Sequence, residues 1–137
     1  MPPDPVLVSE TRSWFRKAIA DLRAAEHALL AQPPLLEDLL FHCQQACEKA
    51  LKAFLTWHDV PFRKTHSLEE LGEQCLRIDP SLGGIVDAAV PLTEFAWAYR
   101  YPGEPDEPEP GAVDQAIDTT LALVEAILDR LPAELRT

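Results

Sequence analysis

The sequence predicts an all-α fold in a single domain, and three observations carry that expectation. The 13 prolines of the 137-residue chain punctuate the sequence instead of scattering through it, and proline is tolerated at helix starts and just past helix ends but costs about 3 kcal/mol inside a helix. Between them, apolar residues recur at the helical period of 100° per residue. No window sustains the period-2 alternation that a half-buried strand requires.

The elements follow in order. Pro2, Pro3 and Pro5 mark a lead-in over residues 1–9. A first helix over 10–31 places Trp14, Ala18, Leu22, Ala25 and Leu29 within an arc of about 80°, with Arg12, Arg16, Arg23 and His27 on another face. Pro33 and Pro34 end it. A second helix over 36–58 is followed by Pro61. The third, over 67–78, opens on Ser67-Leu68-Glu69-Glu70, a capping-box spacing in which the Ser67 hydroxyl and the Glu70 carboxylate satisfy each other's backbone donors. Its Leu68, Leu71 and Cys75 are expected in the core. A fourth helix over 81–100 contains Pro91, which predicts a break or kink. The last, over 112–131, carries an apolar stripe of Val113, Ile117, Leu121, Val124 and Leu128, with Asp114, Asp118, Glu125 and Asp129 turned away. Pro132 closes it and leaves a tail over 132–137. Helices joined by short connections make a bundle.

Composition excludes several classes. Hydrophobic residues at 47% with charged residues at 26% are a globular balance that argues against disorder along the whole chain. The net charge of −11 repels a polyanion at long range and disfavours a general nucleic-acid coat, though a local basic face remains open. No stretch approaches the roughly 18 consecutive apolar residues of a membrane span. The opening Met1-Pro2-Pro3-Asp4-Pro5 lacks the basic and apolar regions of a signal peptide. Three cysteines, two of them (Cys43 and Cys47) four apart on one helix, read as reduced thiols in a cytoplasmic protein.

The second helix is the most informative segment. Leu36, Leu40, Cys43, Cys47, Ala50, Leu51 and Phe54 share one side. His42, Gln45, Lys49, Lys52 and Thr56 occupy an arc of roughly 80° opposite, with Glu48 at its edge. Three readings fit such a stripe: a solvated face, a face that meets an anion, or a dimer seam packed through glutamines and lysine stems. Metal binding is not expected. Cys43 and Cys47 point into the apolar side while His42 points away, and neither a CxxC nor an HExxH spacing occurs. Gly83-Gly84 is not followed by the GK[ST] of a phosphate loop, and no serine nucleophile elbow is present.

Three segments resemble the HEPN domain family. Phe41-His42-Cys43-Gln44-Gln45-Ala46-Cys47-Glu48-Lys49-Ala50-Leu51-Lys52-Ala53 is similar to the family's second-helix signature FHAQQAAEKALKA. Lys64-Thr65-His66-Ser67-Leu68 resembles its KTH[DS]L segment, and Tyr99-Arg100-Tyr101-Pro102 its ARYP segment. Trp14 and Asp21-Leu22 resemble its opening, and the likeness runs from about residue 10 to about 131, which is taken as the domain. The resemblance implies a compact up-and-down bundle of four or five helices, a homodimer, and no cofactor. It implies function in two forms: a metal-independent ribonuclease, or a toxin paired with a small MNT-type nucleotidyltransferase.

The family's catalytic motif is an arginine followed after four to six residues by a histidine. Arg100 matches the arginine, but Pro105, Asp106 and Glu107 stand at the histidine distances, and no histidine follows His66. A ribonuclease needs a group of near-neutral pKa to shuttle a proton at the 2′-hydroxyl, and an arginine to steady the phosphorane charge. The motif is therefore half present. The leading expectation is a component that binds nucleotide, nucleic acid or a partner protein, with His42, Gln45, Lys49, Lys52, Lys64, His66 and Arg100 as anion contacts and Tyr101 as a stacking platform. The competing expectations are a ribonuclease toxin using Arg100 with His66 or His42, and a helical dimerisation module without a ligand. Residues 101–111 form an acidic, proline-rich loop. From residue 101 onward nine acids face two arginines, against fourteen acids and ten bases before it, so the acidity lies beside Arg100. That loop reads as a solubilising connector or as a shield over the arginine.

Overall fold

A computed structural model describes residues 2–103 and 107–136. Among them it shows five α-helices and no strand: α1 (Pro5–Leu30), α2 (Leu36–Trp57), α3 (Leu68–Ile78), α4 (Gly83–Ala89) and α5 (Pro110–Asp129). Short 3-10 turns cover Pro80–Leu82, Val90–Ala96 and Ala133–Arg136. The all-α bundle predicted from the sequence is the fold.

Helix α2 is the centre. Fourteen of its 22 residues are buried, because α1, α3, α5 and the Val90–Ala96 turn all pack around it. Alanines make the closest approach possible: Ala18 on α1 and Ala46, Ala50 and Ala53 on α2 are fully buried. Leu51, Phe54 and Leu55 complete the core, each contributing about 1.5–3 kcal/mol by leaving water.

Several boundaries differ from expectation for local reasons. The lead-in is not separate: α1 begins at Pro5, whose missing N–H costs nothing in the first turn, and the Asp4 carboxylate accepts from the Val6 N–H at 2.9 Å. The tail is likewise part of the fold, since Leu135 is buried and Arg12 donates to the Glu134 carbonyl at 3.0 Å. The fourth helix stops at Ala89 and tightens into a 3-10 turn containing Pro91, as the proline predicts. The chain then turns through Tyr99 in the left-handed region, φ 63°. Only half the capping box forms. The Ser67 hydroxyl accepts from the Glu70 N–H at 3.1 Å, but the Ser67 N–H donates to Thr65 Oγ1 at 3.0 Å, and the Glu70 carboxylate is held by Arg63 at 2.7 Å.

The apolar stripes of α1 and α5 are rotated from their expected positions. The buried face of α1 is Thr11, Phe15, Ala18, Asp21, Ala25 and Ala28; that of α5 includes Val113, Ala116, Thr120, Leu123 and Ile127. Close packing on α2 selects small residues, while Leu29 and Leu121 stay exposed. The reason is topological: α1 and α5 both lie on α2 but barely touch each other.

Candidate functional site

The polar row of α2 is neither a solvated face nor an open anion stripe. It is an internal network built on two carboxylates. The antiparallel α1–α2 pair brings Asp21 against the residues that lie two turns apart on α2, and its carboxylate receives His42 Nδ1 at 2.8 Å and Lys49 Nζ at 2.6 Å. Asp21 itself is buried.

The second carboxylate is Glu48, only 4% exposed. Lys52 Nζ lies 2.9 Å from its Oε2 and His66 Nδ1 lies 2.8 Å from its Oε1. The amides of Gln44 and Gln45 donate to the same Oε1 at 3.2 and 3.4 Å. Gln45 also donates to Gln44 Oε1 at 2.7 Å, and Gln44 to the His66 carbonyl at 3.0 Å, which fastens the segment before α3 to the central helix. Lys52 is buried between aromatic faces, 5.3 Å from the Trp14 ring and 5.7 Å from that of Phe62. Burial pushes the Glu48 carboxyl up, but the bonds from His66 and Lys52, the lysine charge and the Gln44 amide together hold it below the ordinary carboxylate range.

Arg100 belongs to a different surface. Its guanidinium stacks 4.2 Å above the Phe41 ring and donates to Asp38 Oδ1 at 3.1 Å. Two exposed aromatics flank it in sequence, Trp97 at 51% and Tyr101 at 69%. Tyr99 turns back to stack on Phe95 at 6.3 Å between centroids, so it serves packing. Lys64 and His66 are exposed on the segment that leads into α3.

A family model for the HEPN domain matches residues 11–131. The chain belongs to the HEPN family. No curated protein and no solved structure matches it.

Within this HEPN domain the predicted site residues divide into two groups. His42, Gln45, Lys49 and Lys52 are consumed by Asp21 and Glu48. Arg100, Tyr101, Lys64 and His66 reach the surface, and neither His66 nor His42 is bonded to Arg100. Of the residues at the motif's histidine distances, Pro105 and Asp106 lie outside the described residues, and Glu107 is exposed.

Reading the sequence missed the acids that organise the site. Asp21 has the spacing of the buried face, three after Ala18 and four before Ala25, and Glu48 precedes Lys52 by one turn, the geometry of an i,i+4 pair. Those were the available signals. Burial raises the thiols of all three cysteines, to about 12 for Cys47 and Cys75, which leaves them protonated and unreactive. No group of three His, Cys, Asp or Glu side chains among the described residues is arranged to hold a metal ion.

Proposed function

We propose that this HEPN protein is a binding component and not a nuclease: it holds a phosphate-bearing ligand, a nucleotide or a nucleic acid, at the Arg100–Tyr101 surface, as one half of a HEPN/MNT-type toxin–antitoxin pair in the cytoplasm. The observation that carries this reading is the contrast between the two groups of cations. Lys52 and Lys49 are locked to buried carboxylates. Among the described residues Arg100 is paired only to Asp38, whose side chain is 48% exposed. An exposed pair of this kind contributes about 0–1 kcal/mol, so a phosphate that accepts two parallel guanidinium bonds displaces the carboxylate at little cost. Phe41 beneath the guanidinium keeps its plane presented, and Tyr101 and Trp97 offer faces on which a base stacks. Among the described residues this surface offers no proton shuttle. His66 is directed to Glu48, and a carboxylate at Glu107 would repel a scissile phosphate.

The reading is tested by titrating ATP and a short labelled RNA against the wild type and Arg100→Ala at two salt concentrations. Salt-sensitive binding that disappears in Arg100→Ala is expected. Arg100-dependent shortening of the RNA would make the protein a ribonuclease instead. Absence of binding by the wild type would leave a helical module without this ligand.

A further inference from the structure

The connection between α2 and α3 forms, with α3 itself, a cleft that shares no residue with the Arg100 surface. Residues 61–63 make one wall and the outer face of α3 the other, around a volume of about 370 Å³. That is at the small end of the roughly 300–1,000 Å³ of ordinary ligand sites. The α3 wall follows from helical spacing. Glu70, Glu73, Gln74 and Arg77 stand at i, i+3, i+4 and i+7, on one side of the helix, while Leu68, Leu71, Gly72 and Cys75 take the buried side.

Two bridges brace the walls. Gln74 Nε2 donates to the Pro61 carbonyl at 2.9 Å, and Arg63 Nε donates to both Glu70 oxygens at 2.8 and 3.0 Å. The half-buried Phe62 ring makes an edge contact with Trp14, 5.9 Å between centroids. The connection ends on His66, which Glu48 holds. The cleft is thus built before a ligand arrives, and little ordering of its walls opposes binding.

The bridges leave over one charge of each sign. Glu73 and Arg77 are exposed, and among the described residues neither side chain has an ion-pair or hydrogen-bond partner. Acid one turn before base is the order that favours a pair between them, yet they do not close one. The lining as a whole carries two acids and two arginines, an electrical balance in a chain of net charge −11. A polyanion or a polycation meets as much repulsion as attraction there. A dipolar ligand meets only attraction: its carboxylate accepts from the Arg77 guanidinium, and its ammonium donates to the Glu73 carboxylate. Four residues of helix set the two groups about 6 Å apart along the axis, a gap that the adjacent charges of one amino acid bridge with a hydrogen bond at each end. Pro61 and Phe62 offer an apolar surface to the ligand's side chain.

We propose that this cleft binds a free α-amino acid with an apolar side chain. The proposal does not depend on the ligand read at Arg100.

The test is titration of the isotope-labelled protein with leucine, phenylalanine, N-acetylleucine and leucinamide, followed by nitrogen–proton correlation spectra. Leucine or phenylalanine is expected to shift the amides of Arg63, Gln74 and Arg77 saturably and to leave the Trp97 indole in place. N-acetylleucine lacks the ammonium and leucinamide the carboxylate, so each should bind about tenfold or more weakly than leucine, the loss of one charge-assisted hydrogen bond. Glu73→Gln should abolish the preference for leucine over N-acetylleucine, and Arg77→Gln the preference over leucinamide. Both positions are exposed, and unchanged spectra away from the cleft show that the variants are folded. No saturable shift with either amino acid up to its solubility, equal binding of leucine and its two derivatives, or variants that keep both preferences would each overturn the proposal. Any of these results would leave the Arg100 reading standing.

Discussion

Glu48→Ala removes the acceptor on which four side chains converge. Lys52 would remain buried with its ammonium facing only the rings of Trp14 and Phe62, and a cation–π contact contributes about 0.5–2 kcal/mol. Breaking a buried ion pair from one side costs about 3–5 kcal/mol, because the surviving charge is left without compensation. Gln44 and Gln45 would lose their bonds to the same carboxylate. With a urea dependence of about 1–3 kcal/mol per molar for a small domain, the unfolding midpoint is expected to fall by roughly 2 M. Asp38→Ala is the control: it removes an exposed pair of similar geometry and should cost no more than about 1 kcal/mol. Equilibrium urea unfolding followed by far-UV circular dichroism measures both. A Glu48→Ala protein within about 1 kcal/mol of the wild type, or one no less stable than Asp38→Ala, would refute the assignment of the α2 row as architecture.

Three further outcomes follow from the same geometry. Because the folded-state pKa of Glu48 lies below its ordinary value of 4.5, its ionised form stabilises the fold above that value, and the stabilisation is lost as pH falls through the folded pKa. The stability gap between wild type and Glu48→Gln should therefore narrow on acidification below pH 4.5; a gap independent of pH would contradict it. Ellman's reagent should label the native protein slowly and reach all three cysteines only on unfolding, whereas a fast native thiol would place one of them at the surface. A Cβ at Gly72 would collide with Val86 across the α3–α4 contact. Gly72→Ala should accordingly lose about 1–3 kcal/mol to overpacking, set against about 1 kcal/mol of gained helix propensity, with the loss relieved by a second change, Val86→Ala. A fully stable single variant would refute that packing.

Most helix ends were legible because proline and capping residues act locally: Pro33, Pro91 and Ser67 each mark a boundary by their own backbone chemistry, whereas Pro5 was read as lead-in although it opens α1. The faces were less so. A helical wheel ranks residues by polarity, so it set Gln45 and Lys52 opposite the apolar side of α2 and left Asp21 out of the α1 stripe. Their burial depends on how many neighbours surround α2, which no single-helix pattern encodes. The same limitation put Leu29 and Leu121 on the apolar stripes, although α1 and α5 barely touch each other and both leucines stay exposed. Arg100 was identifiable from its segment, but its partners Asp38 and Phe41 lie about sixty positions upstream and are joined to it only by the fold.

The most direct measurement of the central claim uses the tryptophan indoles as reporters. Trp97 lies beside Arg100 on the exposed surface, and Trp14 lies over Lys52 in the buried network. Titration with ATP or short RNA, followed by nitrogen–proton correlation spectra, should shift the Trp97 indole and leave that of Trp14 in place, with the RNA intact at the end. A shift at Trp14 with Trp97 unmoved would place the anion in the α2 network and contradict the account, as would RNA shortened during the titration.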